Sequence, residues 1–200
     1  MNLNSIATVN AGHSFRGKIP EIKGTGIYVV QMKDIDNEYI INWKTVIETG
    51  LTERQSTNWL RSGDILFAAR GQRNYAALVD GEINERQIVA APQFYVIRLT
   101  QPNILPEYLA WYVNQPIAQK YYLANAEGST TPSIRRQVLE GTPIVLPSLK
   151  QQKTFIELAK TISKEKQLAV RMITNGEKLM QSLLNEICHI QLKQEEVKSW

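Results

Sequence analysis

From Ser148 to about Leu192 the apolar side chains recur with a helical period, in an imperfect heptad seam. Heptad steps from Phe155 fall on Ile162, Ala169, Gly176, Leu183 and Ile190, and heptad steps from Leu158 fall on Glu165, Met172, Leu179 and Glu186. A flanking column of Ala159, Lys166, Ile173, Met180 and Ile187 widens the stripe where the second column turns to glutamate. Such a stripe suits packing against a partner helix. Ser148, directly after Pro147, caps the amino end. At 1.5 Å per residue the helix reaches about 65 Å, more than a domain of about 150 residues needs for its own core. Gly176 costs about 1 kcal/mol relative to alanine, and it either rides within one unbroken helix, the preferred reading, or breaks it into a hairpin.

The chain has 200 residues, 43% of them hydrophobic and 21% charged, which suits one globular domain with an appendage. The expected fold class is α+β: a mixed, β-rich domain over residues 1–147 and a long α-helix over 148–200 that forms a coiled-coil arm. No stretch approaches the roughly 20 apolar residues of a membrane span, and Met1–Phe15 is too polar for a signal peptide; the expected location is cytoplasmic. A single cysteine, Cys188, has no intrachain partner, and His13 and His189 are the only histidines, so no metal cluster is expected.

The net charge of +4 and pI near 9.1 permit a nucleic-acid partner without requiring one. Acidic residues concentrate in Asp34–Glu53, Asp80–Glu85 and the carboxy-terminal helix, while loops carry Arg16 with Lys18, Arg70 with Arg73, and Arg135 with Arg136.

Short apolar runs separated by turn residues predict strands over Ile27–Met32, Ile65–Ala69, Ala76–Asp80, Ile88–Ala91, Phe94–Leu99 and Thr142–Leu146, with the middle of the domain as a β meander. Pro106 and Pro116 each open a helix. The aromatics of both helices lie at helical spacing and read as core. Three loops carry the chemistry. Ala11–Lys18 presents Phe15, Arg16 and Lys18; Phe15 either contacts nucleic acid or plugs the edge of the core. Arg70–Tyr75 combines Arg70, Gln72, Arg73 and Asn74, side chains able to bond base edges bidentately, with Gly71 for close approach and Tyr75 for stacking or packing. Ala126–Arg136 offers hydroxyls on Ser129 and Thr130, and guanidinium groups on Arg135 and Arg136, which suit phosphate oxygens.

No catalytic constellation is present: there is no phosphate-binding glycine loop, no nucleophile elbow and no histidine beside a candidate base. Asp64, Asp80, Glu82 and Glu85 come nearest to a metal-nuclease cluster, and turn residues between strands account for them better.

Taken in order, Gly12-His-Ser-Phe-Arg16, Ser62-Gly-Asp-Ile-Leu-Phe-Ala-Ala-Arg-Gly71, Pro106-Glu-Tyr-Leu109, Gly128-Ser-Thr-Thr131 and Pro143-Ile-Val-Leu-Pro-Ser-Leu-Lys-Gln-Gln152 together resemble the DNA specificity subunit of type I restriction and modification systems. In that family a target recognition domain is followed by a long helix, the unit occurs twice in one polypeptide, and the two helices pack antiparallel as a ruler between DNA half-sites. This sequence has one copy. The resemblance implies a half-length specificity subunit that catalyses nothing and binds no cofactor. It would pair as a homodimer through Phe155, Leu158, Ile162, Ala169, Met172, Leu179, Leu183 and Ile187. It would also position a methyltransferase subunit and an endonuclease subunit on double-stranded DNA. The family's base-reading residues vary with the target, so Arg70, Gln72, Arg73 and Asn74 are assigned to base edges by chemistry. Arg16, Lys18, Ser129, Thr130, Arg135 and Arg136 are assigned to the backbone, with Phe15 and Tyr75 as wedges or packing. The competing reading is a non-catalytic protein interaction module on a coiled-coil stalk.

Overall fold

The computed structural model describes residues 1–200 apart from 52–57, 72, 82, 84–85, 129–131 and 199–200, with side chains described as far as residue 186. It divides into two compact units, Met1–Lys153 and Thr154–Trp200.

The first unit is built on two sheets. The strands are β1 (Ala7–Ala11), β2 (Ile27–Val30), β3 (Ile47–Glu48), β4 (Ile65–Ala68), β5 (Ala76–Leu78), β6 (Gln87–Ala90) and β7 (Phe94–Leu99). One sheet has the order β1-β7-β4-β5 and is antiparallel throughout; the other has the order β3-β2-β6, with β2 and β6 parallel. The apolar run Ile65–Ala68 is buried at every position, as a strand covered on both faces must be. Leu66, Ala68 and Val96 of the first sheet share one cluster with Val29, Val30, Ile88 and Val89 of the second. Full burial of each such aliphatic side chain is worth about 1.5–3 kcal/mol. Phe67 packs on Tyr122, with ring centroids 5.0 Å apart.

The expected meander does not form. Between β5 and β7 the chain leaves the first sheet, runs as β6 parallel to β2, and returns to lie between β1 and β4. Local alternation fixes where strands lie, but consecutive strands are neighbours only about two-thirds of the time. Thr142–Leu146 is not a strand either. Its backbone is held by the amino terminus instead: the Leu3 amide donates to the Thr142 carbonyl at 3.0 Å and the Ile144 amide to the Met1 carbonyl at 2.8 Å.

Helices α1 (Pro106–Val113) and α2 (Pro116–Asn125) start at their prolines, where the missing N–H is not needed. Tyr108, Tyr112 and Tyr122 are buried. A short helix, α3 (Arg136–Glu140), follows the Ala126–Arg136 loop, where the sequence predicts no element. The Asp64 carboxylate, 2% exposed, takes a two-pronged ion pair from Arg98, Nε to Oδ1 at 2.7 Å and Nη2 to Oδ2 at 2.6 Å. It also accepts the Arg61 amide at 2.8 Å. Asp64 is therefore a structural turn residue.

Helix α4 (Leu149–Lys198) runs unbroken through Gly176. Ser148 and Gln151 form a reciprocal cap: the Gln151 amide donates to Ser148 Oγ at 3.4 Å and the Ser148 amide to Gln151 Oε1 at 3.1 Å. Gln152, fully buried, accepts the Leu105 amide and donates to the carbonyls of Asn103 and Pro147, each at 2.9 Å. Within the second unit the side chains of Phe155, Leu158, Ile162, Ala169, Met172, Leu179 and Leu183 are exposed; that of Ile187 lies outside the described residues. No described helix is long and apolar enough to cross a membrane.

Candidate nucleic-acid interface

The strand registers bring several loops to one end of the four-stranded sheet. Ala11 at the end of β1 pairs with Tyr95, Ala68 at the end of β4 pairs with Phe94, and Phe67 pairs with Ala76 at the start of β5. The Ala11–Lys18 loop, the Arg70–Tyr75 hairpin and the turn before β7 therefore all leave the sheet at the same end.

Backbone bonds then join the loops at their roots. The Ala69 amide donates to Gln93, the Gly12 amide to Phe94, and the Ile134 amide to Ala69, each at 2.9 Å, while the His13 amide donates to Ala90 at 2.8 Å. Arg70 forms a β-bridge with Ser133. Ser133 and Glu127 exchange amide-to-carbonyl bonds of 2.8 and 3.0 Å, which closes the neck of the Ala126–Arg136 loop. Gly12 is required by close approach: a Cβ there would lie 2.1 Å from the Ala91 carbonyl oxygen. Gly71, at φ +133°, lies where a side chain is strained, and its Cβ would meet Met32 Cε at 2.9 Å.

Within the hairpin the residues divide by what they touch. Arg70 and Arg73 are exposed. The Asn74 Nδ2 donates to the Ala68 carbonyl at 2.9 Å, so that amide group braces its own hairpin. Asn114, at the end of α1, clamps the same hairpin by donating to the Ala76 carbonyl and accepting its amide, both at 2.8 Å. Tyr75 is half-buried against the core and stacks on Tyr39, centroids 5.3 Å apart and planes 20° from parallel. Burial, with a smaller contribution from Tyr39, raises the Tyr75 hydroxyl pKa above its ordinary value. Gln72, Ser129 and Thr130 lie outside the described residues.

Phe15 is half-buried against the core cluster, edge-on to His13 at 4.9 Å. Arg16 and Lys18 are exposed, and Lys18 lines a cavity of about 510 Å³ with Gln31 and Lys33. Arg135 pairs with Glu127 at 2.6 Å and Arg136 with Glu140 at 2.7 Å. Surface pairs of this kind hold only about 0–1 kcal/mol, so both arginines remain available to a phosphate.

A second cavity, of about 500 Å³, opens beside the hairpin, between Arg73 and Asn74 on one side and Gln119, Lys120 and Leu123 of α2 on the other, with Tyr39 in its wall. The sequence did not single out Tyr39 or Lys120. Nothing local marks them; they become neighbours of Arg73 only through the fold. Among the described residues no group of histidine, cysteine, aspartate and glutamate could hold a metal ion.

The model of the type I restriction modification DNA specificity domain matches residues 1–170. The chain belongs to this family. The type I specificity domain shares its fold with several solved chains, three of which are these. The HsdS subunit from Thermoanaerobacter tengcongensis is 17% identical, with a TM-score of 0.62, over 92% of this chain and 46% of that one. The type I restriction-modification system S subunit from M. genitalium is 11% identical, with a TM-score of 0.52, over 82% and 38%. A chain from a structure on complex assembly and conformational transition of the type I R-M system is 21% identical, with a TM-score of 0.68, over 94% and 48%. This type I specificity domain thus spans less than half the length of each of these three chains. No curated protein matches it.

Proposed function

We propose that the chain is the sequence-reading subunit of a type I restriction and modification system. Residues 1–147 act as the target recognition domain and residues 148–200 as the spacer on which a second copy and the partner subunits dock. It performs no chemistry of its own and binds no cofactor. In the cytoplasm it places a methyltransferase subunit, and in the full complex an endonuclease subunit, on double-stranded DNA. The observation that carries the reading is the family match over residues 1–170. The cluster of Arg70, Arg73, Arg135 and Arg136 around joined loop roots supports it.

Pairing with a second copy is supported by the apolar column of α4, where Met172 is 75% and Leu179 61% exposed, a face suited to helix-helix packing. A twofold dimer presents two identical reading domains and favours an inverted, bipartite target. Selection of random duplex DNA by the purified chain near physiological salt tests both points. An inverted pair of short half-sites at fixed spacing is the expected result. No enrichment, with or without the methyltransferase subunit, would instead favour a protein interaction module on a stalk. Salt separates the two readings as well, since 6–10 phosphate contacts lose about 10³–10⁵ in affinity between 50 and 200 mM salt.

A further inference from the structure

We propose that the cavity between the Arg70–Tyr75 hairpin and helix α2 receives a single nucleobase that leaves the stack of the bound duplex, with Tyr39 as its aromatic wall, Arg73 at its polar edge and Lys120 taking a flanking phosphate. The inference rests on the DNA-reading function proposed above and gives that function a specific pocket.

The cavity holds about 500 Å³, within the roughly 300–1,000 Å³ of small-ligand sites. Its chemistry is divided as a base requires. Leu123 and Pro132 supply apolar surface, the two cations Arg73 and Lys120 come from different elements, and Gln119 offers its amide oxygen, its Nε2 donating to the Val113 carbonyl at 2.8 Å. Leu123 is 81% exposed on a helix that buries Ala118 and Tyr122, so it contributes nothing to the core and offers apolar surface to an occupant.

Tyr39 is the second, independent observation. Its φ of +65° makes it the one non-glycine residue in the left-handed region among the described residues, a conformation disfavoured for a bulky aromatic. The loop around it is over-determined. Asp36 Oδ1 accepts the amides of Glu38 and Ile40, both at 2.9 Å. The Tyr39 amide donates to the Asp36 carbonyl at 3.1 Å and the Asp36 amide to that of Ile40 at 3.0 Å. Glycine or asparagine would occupy this turn without strain. Strain held in place by surrounding bonds is characteristic of functional sites, and here it sets a ring that stacks on Tyr75 and walls the cavity. Enzymes that take a base out of a duplex hold it by stacking on aromatic or apolar side chains and by bonds to its polar edge. The same two elements are present here beside the hairpin assigned to base reading.

The test uses the full chain and the duplex obtained by random selection, remade with 2-aminopurine at each half-site position in turn. One position should brighten several-fold on binding, and a mismatch at that position should tighten binding roughly tenfold, because unpairing then costs less. Tyr39→Leu should abolish the brightening while thermal unfolding shows a folded protein. Leu123→Ser, at an exposed position, tests the same wall should Tyr39→Leu fail to fold. Selective binding with no position brightening, or brightening unchanged in Leu123→Ser and in folded Tyr39→Leu, overturns the pocket and leaves the recognition function standing. Failure of the selection itself overturns both.

Discussion

The amide of Ile134 donates to the carbonyl of Ala69 at 2.9 Å, and this one bond ties the root of the Ala126–Arg136 loop to the root of the Arg70–Tyr75 hairpin. Two groups of arginines far apart in sequence are held at a fixed separation by backbone. On the proposed function a duplex would meet them together, one group setting register while the other reads bases.

Arg70 and Arg73 should therefore behave differently from Arg135 and Arg136. Alanine at Arg70 or Arg73, where the guanidinium is bidentate to guanine, costs about 1–3 kcal/mol and relaxes preference at one base pair. Alanine at Arg135 or Arg136 weakens all sequences about equally and reduces the salt slope by about 1. Affinities for selected and scrambled duplexes across a salt series distinguish the outcomes; an equal loss on every sequence for Arg70→Ala demotes it to a phosphate contact.

Glu127 faces Arg135 in an exposed ion pair, so Glu127→Gln should strengthen DNA binding about two- to fivefold on every sequence, the pair being worth about 0–1 kcal/mol. Fluorescence anisotropy at low salt measures this. Unchanged affinity would mean that Arg135 does not reach the DNA.

Asp64→Ala removes the acceptor for both prongs of Arg98 and for the Arg61 amide. Leaving one member of a buried pair uncompensated costs about 3–5 kcal/mol, and the partial exposure of Arg98 puts this case at or below the lower end. Urea unfolding should show the fall in midpoint, and Asp64→Asn should fall less because its amide oxygen still accepts.

The Glu48 carboxylate accepts the amides of Gly26 at 2.6 Å and Gly24 at 2.8 Å, and these bonds, Gly26 first, hold its pKa below the ordinary 4.5. A depressed folded pKa stabilises above the unfolded value and loses that contribution as pH falls through the folded one. Wild type should thus exceed Glu48→Gln in stability at pH 6, and the difference should shrink steadily below pH 4.5. Denaturant midpoints at several pH values check it; a difference that persists at pH 2 rules out the carboxylate as its source.

Gly12 and Gly176 make opposite predictions. Alanine at Gly12 meets the Ala91 carbonyl at 2.1 Å and should destabilise by about 1–3 kcal/mol, as other forced overpacking does. Alanine at Gly176, which has nothing within 4 Å, should favour the helix by about 1 kcal/mol. Thermal unfolding of the two variants should move in opposite directions.

Much of the fold was legible because it is local. The apolar run Ile65–Ala68, the prolines opening α1 and α2 and the stripe of α4 each carry their signal within a few residues. What failed was long-range or very short. The parallel pairing of β6 with β2 sets Ile27 beside Gln87, and no window of sequence contains that. Helix α3 has five residues and no side-chain cap at Arg135, too little for a periodic signal. At the interface, the exposed arginines were legible as chemistry. Asn74 was not legible as a brace, and Tyr39 acquires meaning only from Tyr75 and α2, which the fold brings to it.

Met1 and Leu3 are bonded to Ile144 and Thr142, and β1 pairs with β7 at the edge of its sheet among the described residues. Residues at one extremity of the unit thus wait for residues near its other extremity before their backbone is satisfied. On the ribosome this unit closes late, after Ile144 has cleared the exit tunnel, and such distant pairings slow folding. Once latched, the two extremities protect one another: trimming either should melt the whole unit cooperatively, so that a clipped chain presents no half-formed surface.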